Sequence, residues 1–293
     1  MISRRAGLKA LGAAIGAAAL GTTLVTAASA APGTRKLAMN TNDRLAYIRR
    51  LDIGAHPTAL RAGLGDGDPV PEKGPAAAID KGSLVSFTRD VSGQHRSDAL
   101  NSCLLAQLNS DKLFNRFDPG QLMDWYRNYT NVLSNIGWVI QDFEFEHYQA
   151  SGSTMSVSSA VFEILSAVLS GNDLKLVSAA LNSLAKLEKS NSPWYQVWDS
   201  SSHDQANSNF QLSHCNDNGD KANTLEMTLS GYSLRTKSSA TRFLWVDYES
   251  SSTDLMFSSQ ACTLDEDIYS QVRKEIIKKL GKNATTFVAN LEV

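Results

Sequence analysis

The chain has 293 residues, with 28 basic and 30 acidic side chains, a formal charge of −2 and 42% hydrophobic residues. That balance excludes a nonspecific nucleic-acid binder, which needs a clear basic excess to offset phosphate charge. The size suits one domain, or one domain with a subsidiary lobe. Beyond the N-terminal stretch, no apolar run reaches the roughly 20 residues that a membrane-spanning helix requires.

Residues 1–30 read as an export signal rather than as fold. Arg4, Arg5 and Lys9 precede an Ala/Gly-rich run, Ala10–Ala28, and Ala28-Ser29-Ala30 supplies small residues for cleavage near Ala30. Ser3-Arg4-Arg5-Ala6-Gly7-Leu8-Lys9 resembles the twin-arginine export motif, Ser-Arg-Arg-x-Phe-Leu-Lys, with Gly7 at the position where Phe is usual. The departure leaves both the twin-arginine and the general secretory route open. The resemblance covers the signal alone. It implies a bacterial protein that is exported, to the periplasm or outside the cell. Cleavage there removes three basic residues and no acid, so the exported chain is more acidic still.

The rest is expected to form a single α+β domain, 31–293. Asp43 can cap a short helix with Leu45, Ile48 and Leu51 on one face. Residues 54–80 are rich in Gly, Pro and Ala, with Gly65-Asp66-Gly67-Asp68-Pro69 at their centre, and read as a long loop. The two aspartates do not complete an EF-hand spacing. Ser83–Thr88 reads as a strand, and Ser97 as the cap of a helix to about Asn109. Asp118-Pro119 opens a helix striped by Leu122, Trp125, Tyr129, Val132 and Ile136, and Gly137 ends it. Trp138–Tyr148 alternates as a long strand, with Val139, Phe143 and Phe145 on one face and Asp142, Glu144 and Glu146 on the other.

A central amphipathic helical pair, about 153–189, follows. Val157, Ala160, Val161, Ile164, Leu165, Val168 and Leu169 recur at helical spacing. Ser158, Ser159, Ser166 and Ser170 lie opposite, with Glu163 the only charge. Ser156 caps the first helix and Gly171-Asn172 breaks it. Asp173 caps the second, whose stripe is Leu174, Val177, Leu181, Leu184 and Leu187. A wet face of Ser and Ala costs far less in lipid than one of Lys and Glu. Each half is too short for a single span, so an interfacial or refolding role is expected rather than a simple transmembrane helix. Val161, Leu165, Val168, Leu169, Val177, Leu181 and Leu184 are the candidate membrane-contact residues; the alternative is a hairpin packed under the fold.

The second half turns to β. Trp194–Asp199 is an aromatic, strand-like run. Phe210–Asn216 and Thr224–Arg235 flank Asn216-Asp217-Asn218-Gly219-Asp220, a hairpin signal because Asn-Gly takes positive φ cheaply. Gly231 marks a bulge in that reading. Arg242–Ser250 and Asp254–Cys262 alternate. Asp265 opens a helix closed by Gly281, and Thr285–Val293 alternates as a strand pairing inside a sheet. The whole reads as an antiparallel sheet with helices on one face.

Complete catalytic signatures are absent: no Gly-x-Ser-x-Gly, His-Glu-x-x-His, P-loop or Cys-x-x-Cys occurs. Two weak constellations remain. Glu144 and Glu146 share a strand face about 7 Å apart, a separation that paired catalytic carboxylates can use. His214-Cys215 places an imidazole beside a thiol, although neighbours in a strand face opposite ways. Cys103 sits on an apolar helix face; Cys215 and Cys262 are the candidate disulfide. The five histidines show no ligand spacing, so neither metal nor cofactor is expected. Trp194, Tyr195, Trp198, Trp245 and Tyr248 suit either a core or an interface. The reading is an exported, toxin-like or virulence-associated protein that binds a lipid membrane or host-cell surface. The alternatives are a secreted hydrolase using Glu144 and Glu146 or Cys215 with a distant His, and a non-catalytic ligand-binding module.

Overall fold

The protein is described by a computed structural model, covering residues 39–54, 70–217, 224–237, 243–281, 283 and 288–293. These belong to the second of two compact units, Met39–Val293. The signal peptide, His56, the Gly65–Pro69 run, the Asn218-Gly219-Asp220 turn, Arg242, Thr285 and Phe287 lie outside the described residues.

Helix α1 (Thr41–Arg50) precedes a hairpin of β1 (Ala76–Asp80) and β2 (Ser83–Phe87), then α2 (Gly93–Leu113) and α3 (Leu122–Ile136). Short strands β3 (Trp138–Val139), β4 (Glu146–His147) and β5 (Thr154–Ser156) lead into α4 (Val157–Ser166), α5 (Gly171–Lys189) and α6 (Pro193–Ser202). Then come β6 (His203–Asp204), β7 (Asn207–Asp217), β8 (Leu225–Arg235), β9 (Asp247–Glu249) and β10 (Asp254–Leu264), followed by α7 (Glu266–Leu280) and β11 (Val288–Leu291). The main sheet runs β11-β1-β2-β7-β8-β10-β3, with β4 also on β10 and β6 on β7; β5 and β9 pair separately.

The α+β class stands, with two corrections. First, β2 and β7 pair in parallel, so the sheet is mixed. Alternation along a strand reports its two faces and says nothing of a distant partner's direction. Second, helices cover both faces. Ala76, Ala78, Val85, Phe87, Cys215, Met227 and Leu229 face a core shared with α1, α2, α3 and α7. Ala77, Ile79, Leu84, Phe210, Leu212, Tyr232 and Leu234 face a second core under α4, α5 and α6. Strands β1 and β2 are buried at every position, as a strand covered on both sides must be.

Several boundaries also move. Ala76–Asp80, the end of the segment read as a loop, is β1; its Ala-rich sequence has little strand propensity and is held by pairing on both sides. Asn40, not Asp43, caps α1, accepting from Asp43 N at 3.0 Å. Ser92 caps α2 through His95 N at 3.2 Å, so that helix starts before Ser97. Asp118 caps a turn by accepting from Gly120 N at 2.8 Å, and α3 starts at Leu122.

The long strand over 138–148 is two short ones. Gln260 fills the gap between them: its Oε1 accepts from Gln141 N at 3.1 Å and its Nε2 donates to Gln141 O at 3.0 Å. The run Trp194–Asp199 is helical within α6, started by Pro193 and capped by Ser192. Over 242–250 the described chain is a 3-10 turn, Phe243–Trp245, and the short β9. Gly231 is not in a bulge, since β7–β8 register is continuous through it. A Cβ there would meet Tyr126 Oη at 2.8 Å, so the glycine makes room for that ring. Strand β11 pairs with β1 at the sheet edge rather than inside it.

Candidate functional site

The central pair forms two helices, and its caps are local. Ser156 Oγ accepts from Ser159 N, as expected. Ser170, not Asp173, caps α5: its Oγ accepts from Asp173 N, and its hydroxyl donates back to the Asp173 carboxylate. The first helix therefore ends before Gly171, which belongs to α5.

The candidate membrane-contact residues divide. Val161, Leu165, Val177, Leu181 and Leu184 are buried in the second core, and Leu169 is partly buried against it. Each buried side chain of this kind contributes roughly 1.5–3 kcal/mol. Val168 is different: it stands 47% exposed at the turn. Around it Ser166, Ala167, Ser170, Gly171 and Asn172 are exposed, so the tip from 166 to 172 carries no charge. Packing of the apolar stripe against the sheet is what the described fold uses; of the candidate contact residues, Val168 in the tip is the exposed one.

Polar contacts tie the pair down. The Tyr148 hydroxyl donates to Glu163, and this bond pushes the phenol up to about 12. Ser183 donates to the Glu292 carbonyl beyond β11. His214 on β7 reaches across to α5. Its Nδ1 lies 2.9 Å from Ser86 Oγ on β2, and its Nε2 lies 3.2 Å from Asp173 Oδ1, off the line of a well-aligned hydrogen bond. Burial lowers the imidazole pKa below its usual value, and Asp173 offsets part of that. Sequence reasoning missed Ser86 and knew Asp173 only as a cap, because a contact between β2, β7 and α5 leaves no local pattern.

Ser86, His214 and Asp173 lie in a row, but Ser86 is 1% and His214 2% exposed, so no substrate reaches that hydroxyl in this conformation. Cys215 points to the opposite face, into the first core, with Cys103 and Cys262. The candidate pair His214 and Cys215 is therefore not brought together. Cys215 and Cys262 each stand opposite Met227 across neighbouring strands. At about 4.8 Å per strand they are roughly 10 Å apart, too far for a disulfide. All three thiols are free and buried. Burial pushes the Cys103 thiol up to about 12 and raises Cys215 and Cys262 well above the usual thiol range.

Glu144 and Glu146 are both exposed, and no cleft forms around them among the described cavities. His147 pairs with Asp254 at 2.7 Å. Of the five aromatics, Trp198, Tyr195 and Tyr248 are buried, and Trp198 stacks on Phe243 at 5.4 Å; Trp194 and Trp245 are partly buried. A cleft of 120 Å³ opens between α4, α5 and the 243–245 turn, lined by Val161, Phe162, Leu181, Leu244 and Trp245. Among the described residues, no group of His, Cys, Asp and Glu is placed to hold a metal ion. No described helix is long and apolar enough to cross a membrane.

No family model and no curated protein matches the chain. Among solved structures it shows similarity to the activated Cyt2Ba monomer from Bacillus thuringiensis subsp. israelensis, at 14% identity and a TM-score of 0.37 over 63% of this chain and 97% of that one. A delta-endotoxin aligns at 9% identity and TM-score 0.41, over 72% of this chain and 91% of that one. The Evf virulence factor aligns at 12% identity and TM-score 0.37, over 83% and 89%. Likeness at these values carries no argument about activity.

Proposed function

We propose that this is an exported protein, toxin-like or virulence-associated, that binds at a lipid membrane surface, and that contact begins at the tip of the α4–α5 pair. The observation that carries the reading is the uncharged, exposed tip with Val168 at its crest. It stands on two helices whose apolar stripe covers a core separate from the one beneath α2, α3 and α7. An interfacial helix end of this kind enters the headgroup region without desolvating a charge.

Flotation of the purified protein with liposomes of zwitterionic lipid, with and without anionic lipid, tests it. The wild type is expected to float with the lipid. Val168→Asp is expected to weaken binding by about tenfold or more, from the cost of a carboxylate in lipid, with an unchanged melting temperature because Val168 is exposed. Wild-type protein that stays with the buffer, or a Val168→Asp variant that binds as well, overturns the proposal. Among the described residues, the glutamates stand in the open and Cys215 is buried in the first core, facing away from His214, so neither supports the hydrolase reading.

A further inference from the structure

We infer that Ser86, His214 and Asp173 form a pH-sensitive latch, which holds the tip of the α4–α5 pair on the sheet at neutral pH and loosens it in mild acid. The inference rests on the reading of that tip as the surface-contacting part and supplies its regulation.

The sheet face beneath the pair is apolar at one end and polar at the other. Leu84, Phe210, Leu212, Tyr232 and Leu234 occupy the apolar end. Further along the same faces come Ser86 on β2, His214 on β7 and Thr228 on β8; Ser86 and Thr228 each stand in register with His214. The first turn of α5 lies over this polar end, as the Asp173–His214 contact requires. The other end of α5 is secured by Leu181 and Leu184 in the apolar core and by Ser183 at Glu292. The tip is held by the partly buried Leu169 and Leu174 together with the polar contacts of Ser170 and Asp173, whereas the rest of the helix has the buried Val177, Leu181 and Leu184.

Positive charge enters that contact only when His214 takes up a proton. β2 presents the neutral Ser86; β8 presents Thr228 and, one step along the same face, Glu226; β7 presents Asn216. α5 presents Asp173, while Lys175, two residues on, is exposed. Among these, Asp173 is the group whose charge acts on the ring. In the neutral ring, Nδ1 accepts from Ser86 and Nε2–H faces the Asp173 carboxylate. A second proton turns Nδ1 into a donor to Ser86, whose hydroxyl is then free to donate to Ser213 O at 3.3 Å. The hydrogen-bond count survives, so the opposing force is the burial of a cation, which Asp173 offsets only in part. An opened tip lets the imidazolium hydrate. The open form thus binds the proton more tightly, and closure is strongest above the ordinary histidine range and weakens as pH falls through it.

Hydrogen exchange of the purified protein at pH 7.5 and 5.0, corrected for intrinsic rates, reads the latch without lipid. Protection of residues 170–177 is expected to fall between about 3- and 30-fold, the upper limit being set by the roughly 1.5 pH units below the open-state histidine value. Residues 180–189 and α2 are expected to keep theirs. His214→Gln, which stays neutral, is expected to abolish the fall. Asp173→Asn, which keeps the backbone cap, is expected to deepen it and serves if the Gln variant fails to fold. Equal wild-type protection at both pH values overturns the latch; so does an undiminished fall in His214→Gln, or a shallower one in Asp173→Asn. The two proposals fail separately. A pH-dependent tip with no liposome binding keeps the latch and sinks the surface reading. Binding with flat exchange overturns the latch alone.

Discussion

Asp80 ends β1 fully buried, and neither of its carboxyl oxygens has a hydrogen-bond partner among the described residues. Burial raises its pKa well above the usual carboxylate value, with Lys81 pulling weakly the other way. The fold thus prefers the protonated acid, while the unfolded chain ionises near 3.8. Stability is full below that value and falls as pH rises toward the folded pKa, at about 1.4 kcal/mol per pH unit. Asp80→Val is therefore expected to gain on wild type progressively as pH rises above the unfolded carboxylate value, as urea midpoints would show; a constant gap would mean an ionised, compensated carboxylate. The thiols give a second residue-scale test. Cys103, Cys215 and Cys262 are expected to resist a disulfide reagent in the native protein and to react, all three, in denaturant. Rapid native labelling would show that a core strand opens.

At the scale of the element, single close approaches decide what each position tolerates. Gly231 lies against Tyr126, whose hydroxyl donates to Asn209 Oδ1 at 2.6 Å and accepts from Gln211 Nε2 at 3.1 Å. Gly231→Ala forces the ring off those partners, and a loss of about 1–3 kcal/mol is expected from overpacking alone. Thermal unfolding of the variant checks this. The segment 70–74 has no regular structure, yet it is anchored: buried Arg96 donates to the carbonyls of Pro71, Gly74, Thr88 and Val91. The β1–β2 turn is clamped similarly, with Gln107 accepting from Gly82 N at 3.1 Å and donating to Asp80 O at 3.0 Å.

Across the whole molecule, one sheet divides two cores of unequal attachment. The first core is cross-braced by ions: Arg273 on α7 holds Asp98 on α2 at 2.8 Å and Glu266 at 2.6 Å. On the side of the second core, the contact of His214 with Asp173 joins the start of α5 to the sheet. Leu165→Ala is therefore expected to cost about 2–5 kcal/mol and to raise exchange selectively in α4 and α5. Leu133→Ala, in the first core, is expected to lower protection everywhere. Equal, global effects of both would show that the two cores unfold as one.

Local chemistry was legible in the chain itself. The stripes of α3, α4, α5 and α7, the Ser156 and Asp265 caps, the β7–β8 hairpin and the buried Cys103 follow from period, cap residue and apolarity, which act over a few residues. The α+β class follows from their order. What tertiary structure alone decided is non-local. β1 is an Ala-rich strand because two partners hydrogen-bond it, and Trp194–Asp199 is helical because Pro193 and the second core favour that state over a strand. Cys215 and Cys262 cannot pair because Met227 lies between them. The central stripe faces a sheet rather than lipid because β1, β2, β7 and β8 offer an apolar face of matching length. Ser86, His214 and Asp173 meet only where a parallel strand pair passes under a helix start, since a contact among residues so far apart in the chain has no period by which to announce itself.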